Sequence, residues 1–153
     1  MKRRRAGFTL VEIVIVTLII GIMAAIAIPA FLQARKTTLR NRFINDLRIL
    51  CDGMTQLAIS TGQYPPDRYP GEMPAGFENY AKNIDWTAKT TIGGMWDWDY
   101  LQYQYGGLAG MSVDEPTWSD AEMAEIDALI DDGNLATGNF RKNGRHFTYI
   151  IEK

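Results

Sequence analysis

A run of 22 residues without a formal charge, residues 13–34, constrains the fold of this 153-residue chain more than any other feature. A helix needs roughly 20 apolar residues to cross a hydrocarbon core about 30 Å thick. The apolar character begins at Phe8, and the residues before it form a short basic segment. The sequence therefore predicts a leader at residues 1–7 and a membrane-spanning helix over residues 8–34.

One carboxylate, Glu12, lies within this apolar segment. A carboxylate in a membrane costs about 2.5–3.5 kcal/mol on insertion scales, so we expect it to have a partner or a function. The alternative is that Glu12 lies near the headgroups, where its side chain reaches water and has no role. Its position in the sequence leaves both interpretations open.

The residues Gly7-Phe8-Thr9-Leu10-Val11-Glu12, between a basic leader and an apolar run that contains Pro29, resemble the prepilin signal of type IV pilins and type II secretion pseudopilins. The resemblance implies that a membrane aspartyl peptidase cleaves after Gly7 and N-methylates Phe8. It also implies that Glu12 pairs with the new amine at Phe8 of a neighbouring subunit during assembly. Either charge alone is costly in a medium of low dielectric constant, and pairing makes both tolerable.

The same resemblance implies a non-enzymatic structural subunit of a type II secretion pseudopilus or a type IV pilus. The implied partners are a prepilin peptidase, other pilin-like subunits, an inner-membrane platform protein and a cytoplasmic assembly ATPase. The implied location is the inner membrane, as a single-pass protein with a cytoplasmic N-terminus and a periplasmic head, and then the filament. The absence of a C-terminal cysteine pair slightly favours a pseudopilin.

Charge and composition exclude several other classes of function. Residues 47–153 carry a formal net charge of -8, and the whole chain carries -2, so no nucleic-acid partner is indicated. Four basic residues precede the predicted span and four follow it, so the positive-inside rule hardly decides the orientation; the absence of acids from the leader favours a cytoplasmic N-terminus. A single cysteine, Cys51, and a single histidine, His146, exclude an internal disulfide and a paired-cysteine zinc site. We expect Cys51 to be buried and His146 to be a surface or packing residue.

Beyond the span, apolar residues recur at helical spacing over residues 35–60, which predicts an amphipathic continuation of the first helix. We expect Pro29 to kink or locally melt this helix, and Gly62 with the following prolines to end it. The stripe comprises Leu39, Phe43, Leu47, Leu50, Met54 and Leu57.

Residues 61–153 are predicted to form a compact head. Alternation from Trp96 to Tyr100 predicts a strand that continues through Leu101, Tyr103 and Tyr105 with opposite parity, and a second strand is expected around residues 111–113. A capping box at Ser119 predicts a short helix that ends at Gly133, with Met123, Ile126, Leu129 and Ile130 on its apolar face. The pair Asn143-Gly144 predicts the turn of a terminal hairpin. The predicted class is α+β: a long helix, half transmembrane and half amphipathic, packed on a small antiparallel sheet with one short extra helix.

Two groups of head residues could bind a ligand. The first is an aromatic group, which we interpret as part of the core because aromatic side chains bury a large area. The alternative is a sugar-binding platform, in which case the chain would be a signal-anchored periplasmic binding module. The aromatic group comprises Trp96, Trp98, Tyr100, Tyr103, Tyr105 and Trp118. Oxygen donors around Gly133 could bind calcium, but their spacing differs from that of an EF-hand. The sequence therefore favours a solvated helix end without metal or cofactor; the candidate ligands are Asp127, Asp131, Asp132 and Asn134. The resemblance adds that some major pseudopilins bind calcium in the head.

Overall fold

The computed structural model describes residues 7–102 and 107–153, which belong to two compact units, Met1–Thr38 and Leu39–Lys153. The element order is α1 (Leu10–Thr61), β1 (Met95–Tyr100), β2 (Ala109–Asp114), α2 (Asp120–Ile130), β3 (Phe140–Asn143) and β4 (His146–Glu152). We call Leu39–Lys153 the C-terminal unit. Its long helix, antiparallel sheet and short second helix give the α+β class that the sequence predicts.

The N-terminal unit consists mainly of the first part of α1. Its large apolar side chains are exposed, from Leu10 at 81% to Val16 at 50%. Among the described residues, α1 is the one helix that is long and apolar enough to cross a membrane. The helix is unbroken at Pro29, so the expected local melting does not occur.

Within the C-terminal unit, one face of α1 packs in the core, as the period of the apolar stripe predicts. The exception in the stripe is Leu39, which is only partly buried. Cys51 is also buried, as expected, and burial raises the pKa of its thiol to about 12. The helix ends at Thr61, where Gly62 adopts a φ of 84° and its N–H donates to the carbonyl of Ala58. The stripe residues that are buried are Phe43, Leu47, Leu50, Met54 and Leu57.

The sheet has the strand order β1-β2-β4-β3, with every neighbouring pair antiparallel. Trp96 lies opposite Val113, which in turn lies opposite Phe147, so these side chains share one face. The ring of Phe43 on α1 stacks on Trp96 with the centroids 5.1 Å apart, which places this face against the helix. The opposite face carries a polar row, Asp97, Ser112 and Thr148.

The structure corrects two details of the predicted head. Strand β1 ends at Tyr100, because Leu101 adopts a left-handed φ of 61° and donates its N–H to the carbonyl of Leu108. Tyr103 and Tyr105, expected to continue the strand, lie outside the described residues. Leu129 of α2 is 53% exposed, because the inward face of this helix carries Met123, Ile126 and Asp127.

The terminal hairpin forms, but its turn is one residue later than predicted. Asn143 pairs with His146 as the last pair of the ladder, so the two-residue loop is Gly144-Arg145. A positive φ is present at Gly144 (60°) but not at Arg145. This pattern fits a type II′ turn, which requires glycine at the first loop position, rather than the expected type I′ turn.

Truncation of Leu50 tests the packing of α1 in the C-terminal unit. Leu50 is fully buried, so Leu50→Ala should destabilise this unit by about 2–5 kcal/mol through lost burial and a cavity. All four tryptophans of the chain lie between residues 86 and 118, so a fluorescence melt of the full chain in detergent reports on this unit. The matched control is Ile49→Ala, whose side chain is 40% exposed. Equal melting temperatures for the two variants would contradict the packing.

Candidate functional site

The N-terminus of α1 brings Thr9 and Glu12 together in a capping box. The N–H of Thr9 and its hydroxyl both donate to Oε2 of Glu12, at 2.8 Å each, and the N–H of Glu12 donates to Oγ1 of Thr9 at 3.2 Å. This reciprocal arrangement satisfies backbone donors that the first helical turn leaves without partners. Thr9 was not among the residues predicted to have a role, although its T-x-x-E spacing with Glu12 is the sequence pattern of a capping box.

The peptide bond between Gly7 and Phe8 lies immediately before this box and is open to its surroundings. A Cβ placed on Gly7 would meet no heavy atom within 4 Å, and the side chain of Phe8 is 82% exposed. Gly7, Phe8 and Glu12 therefore lie together at the start of α1. Residues 1–6, which contain the basic cluster of the leader, lie outside the described residues.

The acidic end of α2 brings three of the four candidate metal ligands together. Single carboxylate oxygens of Asp127, Asp131 and Asp132 lie within 4.8 Å of one another. Asp131 accepts hydrogen bonds from the backbone amides of Asn139 and Phe140, and Asp132 accepts them from the Asn134 amide and the Thr137 hydroxyl. The side chain of Asn134, the fourth candidate, accepts from the amide of Ala136.

Asp127 differs from the other two carboxylates because it is fully buried and accepts no side-chain hydrogen bond; only the backbone amides of Gly133 and Asn134 approach it. Burial raises the pKa of Asp127 to about 6, and the nearby Asp132 and Asp131 act in the same direction. The amides of Asn134 and Gly133 partly oppose this shift. A buried carboxylate that has only weak backbone partners supports a cation at this end of the helix more strongly than the sequence alone did.

We expect Ca²⁺ to raise the melting temperature of the C-terminal unit, because oxygen-only ligands suit a hard cation. Asp127→Asn should abolish the shift, and Glu78→Gln, a change at an exposed loop position, should preserve it. The measurement is a tryptophan fluorescence melt of the full chain with calcium or with a chelator. The same melting temperature under both conditions would show that this helix end binds no calcium.

The polar face of the sheet contains a buried cluster that was not predicted from the sequence. Nδ1 of His146 lies 3.6 Å from Oδ2 of Asp97 and 3.5 Å from Oδ1 of Asp114. Arg145 contacts Asp114 from Nε at 2.9 Å and Glu115 from Nη1 at 3.0 Å. His146 is thus a partly buried residue of a charged cluster, and strand alternation alone could not reveal these neighbours.

Burial is the main cause of the shifted pKa values in this cluster. Burial raises the pKa of Asp97 to about 8, with further increases from Asp99, Asp67 and Asp114. Burial also raises the pKa of Asp99 to about 6, although a hydrogen bond from the Ser112 hydroxyl lowers it. Burial lowers the pKa of the His146 imidazole and Arg145 lowers it further, while Asp114 and Glu115 oppose both effects.

The aromatic group forms core rather than an exposed platform, as far as the structure describes it. Trp96 and Trp98 are 2% and 0% exposed, and the indole N–H of Trp98 donates to the carbonyl of Pro65 at 3.0 Å. Tyr100 and Trp118 are partly buried against the same core. Tyr103 and Tyr105 lie outside the described residues.

Comparison with known sequences identifies the N-terminal segment. Residues 2–28 match the family described as the prokaryotic N-terminal methylation motif. The chain is similar to the type II secretion system core protein G of Aeromonas hydrophila, at 28% identity over 64 residues, and of Klebsiella pneumoniae, at 31% over 65 residues. These matches cover 42% of this chain and 45% and 46% of the relatives, so the chain spans a little under half of their length.

Comparison with solved structures identifies the fold. The structure of the major type IV pilin PilA1 from Clostridium difficile matches 79% of this chain and 98% of its own, with a TM-score of 0.55 and 15% identity. At this level of identity the likeness shows the fold alone. The chain is therefore a pilin- or pseudopilin-like protein, with a prokaryotic N-terminal methylation motif and a pilin-like α+β fold.

Proposed function

We propose that the chain is a structural subunit of a type II secretion pseudopilus or a type IV pilus, without catalytic activity of its own. The observation that carries the proposal is the methylation motif at residues 2–28, with an accessible Gly7-Phe8 bond directly before a helix. In this proposal a prepilin peptidase cleaves after Gly7 and N-methylates Phe8. Residues 1–7 are then a cleaved leader.

Glu12 is proposed to pair with the amine that cleavage creates at Phe8 of an adjacent copy. Glu12 is the only formally charged residue between Phe8 and Ala34. The capping box holds its carboxylate at the helix start, where it accepts from the N–H of Thr9, the residue that follows Phe8. Two opposite charges attract strongly where water is scarce, so the pairing supplies an energetic reason for a charge in an otherwise apolar segment.

Residues 8–34 are proposed first to span the inner membrane and then to form the filament core with the same segment of other subunits. Both the membrane and the filament core would remove the exposed apolar side chains of this segment from water, and this burial is favourable in free energy. Head-to-tail contacts between identical subunits build filaments when they do not close into a ring, and the proposed contacts in the filament core are of this kind. Residues 35–60 continue the helix into a periplasmic head at residues 61–153, and the N-terminus faces the cytoplasm. The other proposed partners are pilin-like subunits, an inner-membrane platform protein and a cytoplasmic assembly ATPase.

The alternative, a signal-anchored periplasmic binding module, depends on an exposed aromatic patch. The burial of Trp96 and Trp98 removes the support that these two residues would give it. A pseudopilin is favoured over a pilin by the sequence similarity to core protein G of type II secretion systems.

Blocking cleavage tests the proposal. In a host with a working assembly system, Gly7→Leu should accumulate as an unprocessed precursor and form no filaments, because bulk at this position blocks close approach of the peptidase to the backbone. Intact-mass analysis should show a chain that starts before Gly7. The control is Gly21→Leu, a substitution in the apolar segment where a Cβ meets no other atom within 4 Å; this variant should still be cleaved. A mature chain that begins at Phe8 in Gly7→Leu would refute the assignment.

A further inference from the structure

The polar face of the sheet places one imidazole nitrogen between two buried carboxylates from neighbouring strands. Asp97 lies on β1, Asp114 on β2 and His146 on β4, and the ladder pairs Asp114 directly with His146. The nitrogen Nδ1 lies 3.6 Å from Asp97 and 3.5 Å from Asp114. The three side chains are only 5%, 10% and 15% exposed.

This cluster contains more carboxyl groups than its described basic neighbours can pair with. Asp99 and Asp67 add carboxylates close enough to act electrostatically on Asp97. Arg145 offsets part of the charge, but its side chain is 58% exposed and it already pairs with both Asp114 and Glu115. Oδ1 of Asp97 is buried and accepts no hydrogen bond. Burial of a carboxyl oxygen without a partner is costly, and a buried water or ion commonly satisfies such a group. The unpartnered Oδ1 belongs to the same carboxyl group whose Oδ2 faces His146.

We propose that Asp97, Asp114 and His146 form a binding site for a divalent transition-metal ion of the Zn²⁺ type. Ligand atoms about 2.0–2.2 Å from a tetrahedral ion are roughly 3.3–3.6 Å apart. The two separations that involve His146 already have this size. Oδ2 of Asp97 and Oδ1 of Asp114 lie more than 4.8 Å apart, and Nε of Arg145 contacts the Asp114 oxygen at 2.9 Å. Binding therefore requires the ion to draw the Asp114 carboxylate away from Arg145 and towards Asp97.

The donor set determines the class of metal. An imidazole with carboxylates suits Zn²⁺, Cu²⁺, Ni²⁺ or Fe²⁺, whereas Ca²⁺ and Mg²⁺ prefer oxygen donors alone. The acidic end of α2 offers only oxygens, so the two places differ in the metal that each should prefer. The inference does not depend on filament assembly and stands separately from the proposed function.

The test uses Zn²⁺ as the probe and the untagged full chain in detergent, freed of metal with a chelator. Calorimetric titration and elemental analysis should give one Zn²⁺ per chain at this site, retained in the presence of excess Ca²⁺. Asp97→Asn and His146→Gln should each weaken this binding tenfold or more. Asp131→Asn, in the other acidic cluster, and Cys51→Ala, which removes the only thiol, should leave it unchanged.

X-ray absorption at the zinc edge of the wild-type protein provides a second measurement that needs no variant. Because His146 is the only histidine in the chain, an imidazole signature among nitrogen and oxygen ligands can come only from this residue. No stoichiometric binding by the wild type, a zinc spectrum without imidazole or with sulfur, or undiminished affinity in folded Asp97→Asn would each overturn the proposal.

Discussion

Replacing Glu12 by Leu is expected to leave membrane insertion and cleavage intact and to abolish filament assembly. Removal of a charge from an apolar segment should leave membrane insertion unchanged or make it more favourable. What is lost is the attraction between the Glu12 carboxylate and the Phe8 amine of an adjacent copy, which is strong only where water is scarce. The variant, expressed as the only copy, should reach the wild-type membrane level, while sheared filaments and subunit crosslinks disappear.

Two further variants separate the charge of Glu12 from its role in the capping box. Glu12→Gln removes the charge but keeps an oxygen that can accept from the Thr9 N–H, because glutamine also serves at this position of a capping box. We expect it to fail in assembly like Glu12→Leu. Gln33→Leu changes another polar residue of the same apolar segment and should assemble normally. Normal filaments from Glu12→Leu would contradict the proposed pairing of Glu12 with the Phe8 amine and would favour an anchored binding module.

The metal-free protein is expected to lose stability as the pH rises from 6.5 to 8. Asp97 has a pKa of about 8 in the folded chain against 3.8 as its ordinary value, so the folded state binds a proton that the unfolded state has released. The stabilisation from this group is complete below about pH 3.8 and is lost as the pH rises through 8. The slope is about 1.4 kcal/mol per pH unit well below the folded pKa and half of that at the pKa, so the loss between pH 6.5 and 8 is about 1.6 kcal/mol.

The window above pH 6.5 isolates Asp97 from the other shifted groups. Asp99 and Asp127 also have raised pKa values, but at about 6 they contribute mostly below this window. The lowered pKa of His146 has the opposite effect, because its stabilisation is lost as the pH falls through its ordinary value of 6.5. Asp85 and Asp132 have lowered pKa values, so their contributions change only in the acidic range.

Tryptophan fluorescence melts of the full chain in detergent with a chelator measure this effect. We expect the melting temperature to fall by roughly 5–10 °C between pH 6.5 and 8. Asp97→Asn should flatten the dependence, because an amide does not titrate, and the exposed-site control Glu78→Gln should retain it. A melting temperature that rises with pH in this window would mean that Asp97 is ionised in the folded chain.

Local sequence patterns determined most of the secondary structure. The charge-free run and the period of the apolar stripe predicted α1, since a helix repeats its faces every 3.6 residues regardless of what packs on them. The capping box at Ser119 predicted the start of α2, where Glu122 indeed accepts from the Ser119 N–H at 2.8 Å. The terminal hairpin was predicted, but its turn lies one residue later than expected. Asn143-Gly144 and Gly144-Arg145 both contain the glycine that a tight turn needs, and only the strand pairing selects between these two loops.

The sequence by itself thus determined the long helix, the methylation motif around Gly7 and the α+β class, because each is written in neighbouring residues. Only the tertiary structure decided which side chains of residues 62–94, such as Phe77 and Trp86, enter the core, because this segment has no periodicity. It also decided that Asp97 is buried beside His146. Alternation along a strand assigns the Asp97 side chain to a face of the sheet. It does not tell whether that face is buried or which charges lie there, because the neighbours Asp114 and His146 are 17 and 49 residues further along the chain. Only strand pairing brings these residues together.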